Sequence, residues 1–430
     1  MTHERRIDVG GLSRVEGEGS LKVTIEDGKA TLVQLDIYEP PRFFEALLRG
    51  RHFCEPPDIT SRICGICPIA YQISAVQAIE DACGVTVTPE IRALRRLIYC
   101  GEWIESHALH LFLLHAPDFL GFESGIAMAR DHRDLVQRGL QLKRAGNRLI
   151  EVIGGRSVHP VNLRVGGFYR APATEELTAL IDQLRWAREA ALETVKWVST
   201  FDFPDFEPAY EFVALSDPNQ YAIIEGRVVS SSGIDIPVAD YERHFEEEQV
   251  PYSTALHSHR KGADSYLVGP LARYSLNSSR LSPIAREAAA AAGLGAVCRN
   301  PFRSIVVRAV EIVYACDEAL RLIDQYEPPD PPAIRVEARA TVGCGASEAP
   351  RGLLYQRYRL SADGDILEAK IVPPTSQNQA IIEDDVRGVV ERSLDLSDEA
   401  LQWRAEQAIR NYDPCISCST HFLKLTVDRL

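Results

Sequence analysis

Several things are missing from this chain of 430 residues. It has two methionines, four tryptophans and no linker-like stretch rich in Gly, Ser or Pro. It also has no apolar run of the roughly eighteen residues that a bilayer-spanning helix requires. The start, Met1 to Asp8, lacks the apolar core that follows the basic residues of an export signal. No transmembrane or export segment is therefore expected. With no place to cut the chain, a single large domain over 1–430 is expected.

Positive charge is scarce too, since 47 Lys and Arg face 61 Asp and Glu for a net charge of −14. The broad positive field that draws proteins to phosphate backbones or anionic lipid is absent. Neither nucleic acid nor direct membrane insertion is expected, and the location read from the sequence is cytoplasmic. The composition, 45% hydrophobic and 25% charged, is that of an ordinary globular protein.

Ten cysteines are too few for a disulfide scaffold in a chain of this length. Six of them (Cys54, Cys83, Cys100, Cys298, Cys316, Cys344) stand alone among apolar or small residues and read as buried structural thiols. The other four are paired by spacing, in Arg62-Ile63-Cys64-Gly65-Ile66-Cys67 and in Asp413-Pro414-Cys415-Ile416-Ser417-Cys418.

Alternation of apolar and polar residues predicts a β-hairpin over Leu21 to Ile37, turning at Asp27-Gly28, and another over Leu354 to Val372, turning at Asp363-Gly364. Helical periodicity marks Ile69 to Cys83, Pro89 to His115, Asp131 to Ile153, Glu175 to Thr200, Pro301 to Tyr326 and Asp398 to Asn411. The fold class expected is α+β, predominantly α: a bundle of long helices with small peripheral hairpins. Pro373-Pro374 and the Pro-rich segment from Glu327 to Pro332 read as rigid connectors. Glu246-Glu247-Glu248 reads as a solvated patch.

Thiolates favour zinc, copper(I), iron-sulfur clusters and thiolate-bound nickel. Spacing alone leaves three readings open: a four-cysteine structural zinc site, a redox-active Cys-x-x-Cys pair, and a catalytic metal centre, with zinc the commonest. His107, His110 and His115 also share a helical segment, but no carboxylate or cysteine completes a ligand shell there. Core and supporting roles fit them better.

The surrounding residues change the order. Arg-x-Cys-Gly-x-Cys near the start and Asp-Pro-Cys-x-x-Cys-x-x-His near the end, as Arg62 to Cys67 and Asp413 to His421, resemble the hallmark motifs of nickel-iron hydrogenase large subunits. Ser13-Arg14-Val15-Glu16-Gly17, Arg42-Phe43-Phe44-Glu45, His159-Pro160, Ala349-Pro350-Arg351-Gly352 and Pro373-Pro374-Thr375-Ser376-Gln377-Asn378 extend the likeness over the whole chain.

The resemblance implies the large-subunit fold and reversible heterolytic cleavage of H2 to protons and electrons. It makes Cys64 and Cys415 terminal nickel ligands, and Cys67 and Cys418 bridges between nickel and an iron that carries cyanide and carbon monoxide. Arg351 and Thr375 match the residues that hold those small ligands. Glu16 matches the glutamate that receives the proton from Cys415. Asp118 and Asp413 match carboxylates framing Arg351, and Glu45 and His421 match ligands of a separate divalent ion, usually magnesium.

Where many members carry a histidine four residues after the second cysteine, this chain has Tyr71. Cys-Pro-x-Ala-Tyr is similar to the cytosolic bidirectional NAD(P)-linked branch, also called sulfhydrogenases. No clustered cysteines remain for an electron relay. A partner chain must carry that relay, and the resemblance implies an iron-sulfur small subunit, flavin-containing diaphorase subunits, nickel chaperones and a maturation endopeptidase that removes residues 422–430. Two alternatives remain: a metal-free relative resembling the quinone-site subunit of complex I, which has lost these cysteines, and a structural zinc protein.

Overall fold

The computed structural model describes residues 4–40, 43–263 and 265–420. His421 and the 422–430 segment lie outside the described residues, as does Arg42.

The chain opens with an antiparallel sheet of β1 (Glu4–Val9), β2 (Gly19–Glu26) and β3 (Lys29–Ile37). β2 and β3 form the hairpin expected from alternation, with Asp27 and Gly28 both at positive φ in its turn. β1 was not anticipated, because Arg5, Arg6 and Asp8 obscure its alternation.

Long helices follow: α1 (Pro68–Cys83), α2 (Pro89–Leu109), α3 (Arg133–Gly154) and α4 (Ile181–Val198). Prolines at the first helical position start α1 and α2, where the missing N–H costs nothing. Thr88 caps α2 by accepting from Ile91 N–H. The segment expected as one helix from Glu175 to Thr200 is split, with Thr174–Thr178 preceding α4.

The expected helix from Pro89 to His115 is also not uniform. After Leu109 the chain widens into a π turn over His110–His115, just ahead of Pro117. A proline cannot donate to the turn before it, and the wide turn absorbs that loss. The turn aims His110 at the Arg410 carbonyl, 2.8 Å away, and His115 at Asn411 Oδ1, 2.9 Å away. His107 meets Glu311 at 2.9 Å. All three histidines are buried supports for other segments, as their lack of a ligand shell implied.

Between Thr200 and Pro301 the sequence pattern predicted no element. This stretch holds a three-stranded antiparallel sheet over Val213–Ile236 and a hairpin of Phe245–Gln249 with Leu256–Arg260. Glu246 and Glu248 are exposed as expected, but Glu247 turns inward toward Lys370. The short helix α5 (Pro270–Asn277) and the long α6 (Ser304–Asp324) return the chain to the core.

Next, β4 (Val342–Ala349), β5 (Gly352–Leu360) and β6 (Ile366–Val372) make another antiparallel sheet of three strands. β4 lies directly on α1. A Cβ on Gly343 would sit 2.1 Å from the Ala78 carbonyl, and one on Gly345 2.3 Å from that of Ser74. Ser74 and Ser347 hydroxyls meet at 2.7 Å across this contact. The helix that begins at Cys67 is thereby fixed against the strand that leads to Arg351.

Pro373-Pro374 is not a connector. Pro374 is the first residue of α7 (Pro374–Glu391), a helix the sequence pattern missed because its first turns, Thr-Ser-Gln-Asn-Gln, are polar yet fully buried. α8 (Asp398–Arg410), capped by Ser397, closes the described fold. One apolar cluster runs from Ile7 on β1 to Cys418. Cys83, Cys100, Cys298 and Cys316 are buried in it, whereas Cys54 is exposed and Cys344 only half-buried. Among the described residues no helix is long and apolar enough to cross a membrane.

Asp385 on α7 anchors this end of the fold. Its Oδ2 accepts from Tyr412 Oη at 2.5 Å and also from Tyr210 Oη. Burial pushes its carboxyl up to about 7 despite these two donors. A carboxylate with a raised folded pKa contributes stability below its unfolded pKa near 3.8, and that stability is lost as pH rises to about 7. Each unit of the gap is worth about 1.4 kcal/mol. Asp385→Asn should therefore gain stability relative to the parent as pH rises from about 4 to about 7, read by denaturant midpoints. An unchanged difference across that range would refute the assignment.

Candidate metal centre

The four spaced cysteines converge. Although the motifs are separated by most of the chain, ligand atoms of Cys64, Cys67, Cys415 and Cys418 all lie within 4.8 Å of one another, and all four residues are buried. Among the described residues this is the one group of His, Cys, Asp or Glu with such geometry. Cys64 Sγ and Cys415 Sγ, from opposite ends of the sequence, are 3.6 Å apart.

Local structure explains the aim of each pair. Cys67 is the N-cap of α1, so its side chain sits where α1 begins, and Ile66 N–H donates to Cys64 Sγ at 3.3 Å. Beneath this turn the fully buried Glu102 of α2 accepts from Ile69 and Ala70 N–H at 2.6 and 3.1 Å. These are helix-start donors that would otherwise be unpaired. Burial pushes Glu102 well above the usual carboxylate range.

At the other end, Asp413 has φ +53°, a left-handed value that Asp tolerates better than most residues. Cys415 N–H donates to Thr375 Oγ1 at 3.0 Å, which places the start of α7 beside the site. Cys415 and Cys418 are joined as a disulfide in this structure, a pairing not expected from the sequence. Both must be thiolates to ligate a metal. Between the other two, a hydrogen bond from Cys67 lowers the Cys64 pKa and raises that of Cys67.

Glu16 reaches the same point. Glu16 Oε2 lies 3.0 Å from Cys415 Sγ and accepts from Ser417 N–H at 3.1 Å, while Ile416 N–H donates to the Glu16 carbonyl at 2.8 Å. Ser417 Oγ in turn donates to Glu39 Oε2 at 2.8 Å. Gly17, at φ +92°, permits this approach, since a Cβ there would meet Ile416 Cβ at 2.7 Å and Ser417 N at 2.9 Å. Glu39 and Ser417 carried no signal in the sequence.

Arg351 is buried over the cysteines. Its Nε donates to the Asp413 carbonyl at 2.6 Å and its Nη2 to Asp413 Oδ1 at 3.2 Å. Burial opposes its charge, but Asp413, Cys67, Cys64 and Glu16 outweigh it and raise its pKa above the usual arginine value. Asp118 does not join this pair. Its carboxylate is taken by Arg410, at 2.8 Å to each oxygen, and by Arg14 at 2.6 Å. The His-Ala-Pro-Asp motif placed Asp118 near Arg351 by resemblance; the structure instead uses it to tie the Glu16 loop to the end of α8.

Glu45 is half-buried and accepts from Ile371 N–H at 2.8 Å. It shares a cavity of about 30 Å³ with Cys418, Thr420 and Glu247. Glu247 was read as part of a solvated patch, and only the fold turns it inward. His421, the expected companion of Glu45, lies outside the described residues.

The donor set fits a soft, thiolate-bound metal pair. Two buried donors beside it, Arg351 Nη1 and Tyr71 Oη, have no acceptor among the described residues. Buried polar groups are normally paired, so a group bearing acceptors fits there. The nickel-dependent hydrogenase family matches residues 42–137 and 251–421. The chain belongs to this family.

Curated relatives agree. The hydrogenase is 34% identical over 423 residues to sulfhydrogenase 1 subunit alpha of Pyrococcus furiosus, covering 97% of this chain and 98% of that protein. It is 28% identical to the NAD-reducing hydrogenase HoxS subunit beta of Cupriavidus necator, covering 97% and 95%. Among solved structures, an NAD+-reducing [NiFe]-hydrogenase superposes with TM-score 0.87 at 26% identity, over 97% of this chain and 99% of that one. A [NiFeSe]-hydrogenase of Dm. baculatum, 21% identical with TM-score 0.77, shares the fold. The α+β, predominantly α architecture is that of the large subunit.

Gly17→Ala should strain the left-handed turn and drive a methyl into Ile416, costing more than about 1 kcal/mol. A denaturant midpoint unchanged from the parent would contradict this close approach.

Proposed function

We propose that this chain is the catalytic subunit of a nickel-iron hydrogenase that cleaves and forms H2 reversibly. The observation that carries the reading is the convergence of four buried cysteine ligand atoms within 4.8 Å, with a glutamate 3.0 Å from one sulfur and an arginine above them. Cys64 and Cys415 would hold the nickel, and Cys67 and Cys418 would hold both metals. When bound, the metals supply the Lewis acidity and redox capacity that heterolysis of a nonpolarised, weakly acidic molecule requires.

The chain supplies the base and the surroundings. Cys415 takes the proton and passes it to Glu16, which the Ser417 backbone N–H holds in place while Ser417 Oγ donates to Glu39. Arg351 stays charged, so it serves by electrostatics and position rather than as a base. Its Nη1, without a partner among the described residues, and the Thr375 hydroxyl would be the donors that hold cyanide and carbon monoxide. Asp413 orients Arg351, and Asp118, held by Arg14 and Arg410, fixes the Glu16 loop.

Magnesium or another divalent ion is assigned to Glu45 and His421, with Glu247 on the same cavity wall. Electrons leave to an iron-sulfur small subunit. A face for it lies beside the Cys64–Cys67 loop, where Val158 and His159 flank Gly65 and Val158, Val161 and Tyr169 are exposed. From there the route runs to flavin-containing diaphorase subunits and NAD(P), as the likeness to a sulfhydrogenase and an NAD-reducing enzyme supports. The chain acts as one domain in the cytoplasm and is served by nickel chaperones and a maturation endopeptidase.

Elemental analysis of the purified complex should find nickel equal to the large subunit, with iron beyond that of the partner's clusters; zinc alone would defeat the reading. Glu16→Gln should keep the metals and suppress hydrogen/deuterium exchange at least about a hundredfold, the lower end of what a positioned acid-base group contributes. Exchange at the parent rate would remove Glu16 from the route.

A further inference from the structure

A second buried arginine stands behind Arg351 and belongs to no motif. Arg273 of α5 is fully buried and uses all five of its N–H donors. Nε and Nη2 grip Glu311 of α6 at 3.0 and 2.9 Å. Nη1 donates to Glu348 Oε2 at 3.0 Å and to the Ala349 carbonyl at 2.6 Å, and Nη2 donates to the Pro350 carbonyl at 2.9 Å. One guanidinium thus holds three consecutive residues, 348, 349 and 350, immediately before Arg351.

Neighbours fix the guanidinium itself. Its carbon lies 4.5 Å from the centre of the Trp103 ring, and Trp103 Nε1 donates to the Glu348 carbonyl at 2.9 Å. Tyr221 Oη donates to Glu311 at 2.8 Å, and His107 meets Glu311 at 2.9 Å. Burial penalises the Glu311 charge, but Arg273 and His107 hold it down to about 2. The backbones close on each other as well. A Cβ on Gly269, the residue before α5, would sit 2.7 Å from the Arg351 carbonyl, and one on Gly352 would sit 2.8 Å from Gly269 N.

We propose that Arg273 is a positioning residue that sets the place of the Arg351 guanidinium over the metal-binding cysteines. It touches none of the reacting groups and acts through the 348–350 backbone. This rests on the reading of Arg351 given above. The five acceptors surround a planar fork, which a lysine with three donors on one nitrogen cannot match. A buried ion network is poor evidence of stability. Here its geometry converges on one turn, and displacement of a group near the chemistry by about 1 Å costs on the order of a hundredfold in rate.

The test is a double-mutant cycle in the assembled complex, with Arg273→Lys, Arg351→Lys and both together. Arg95→Lys is the control, a buried arginine that grips Glu80 at 2.8 and 2.6 Å and makes no hydrogen bond to the 348–351 turn among the described residues. Nickel and iron content, kcat and KM for H2 with an artificial electron acceptor, and backbone amide exchange of the 346–356 peptide are read for each. Arg273→Lys should keep the metals, lower kcat about tenfold or more, and speed amide exchange at 351–353. The double variant should be no slower than Arg351→Lys alone, and Arg95→Lys should leave kcat and that peptide unchanged.

Multiplying defects in the double variant, or a kcat for Arg273→Lys equal to that of Arg95→Lys, would overturn the proposal. A parent rate in metal-loaded Arg351→Lys would overturn the reading of Arg351 itself; a slow Arg351→Lys beside a parent-rate Arg273→Lys would overturn only Arg273. Should Arg273→Lys not fold, Glu311→Gln, which loosens one side of the fork, is read in the same cycle with the same outcomes.

Discussion

Four sulfur ligands crowded into one buried space are the constraint on which the rest of this structure depends. As thiolates they repel strongly where the dielectric is low, and as part of a closed site they join residues 351 apart in sequence. Closing so long a loop costs about 5 kcal/mol on chain entropy alone. The protein meets the electrostatic part with Arg351, whose charge burial disfavours but the surrounding anionic groups favour. A metal pair would meet the rest.

Most of the buried arginines serve that closure. Arg410 binds Asp118 with both nitrogens while Arg14 binds it from the Glu16 loop. Arg308 and Ser304 of α6 both donate to the Asn411 carbonyl, two residues before Asp413. Arg273 grips the backbone before Arg351. Each meets a carbonyl or carboxylate on a segment that carries a site residue. Charge buried in this way contributes little net stability. What it supplies is direction: a guanidinium fork accepts few arrangements of its acceptors, so the segments holding Glu16, Arg351 and Cys415 have few places to go.

Legibility followed the range of the interaction. The β2–β3 and β5–β6 hairpins were readable because an Asp-Gly turn and period-two alternation are local. The helices α1, α2, α3 and α6 were readable because an apolar stripe is local, helped in α1 and α2 by a leading proline. α7 was not, because its first turns are polar residues buried against the site and periodicity reports only apolar burial. The π turn was hidden for a related reason: Leu109 to His115 has helical composition, and only the packing of His110 and His115 on 410–411 shows that the turn widens.

The sequence by itself determined the donors: two Cys-x-x-Cys pairs, their flanking Arg62, Asp413 and Pro414, and a family likeness that named Glu16 and Arg351. Ligand type is a property of the side chain, and spacing within a turn is fixed by bond lengths, so both survive without a fold. Tertiary structure alone decided which groups meet. It put Glu39 and Ser417 behind Glu16, gave Asp118 to Arg14 and Arg410 instead of Arg351, turned Glu247 into the cavity with Glu45, and set Arg273 behind the Pro350 carbonyl. Those pairings join residues tens to hundreds of positions apart, and no local pattern encodes which of many buried charges will face one another once the chain has closed.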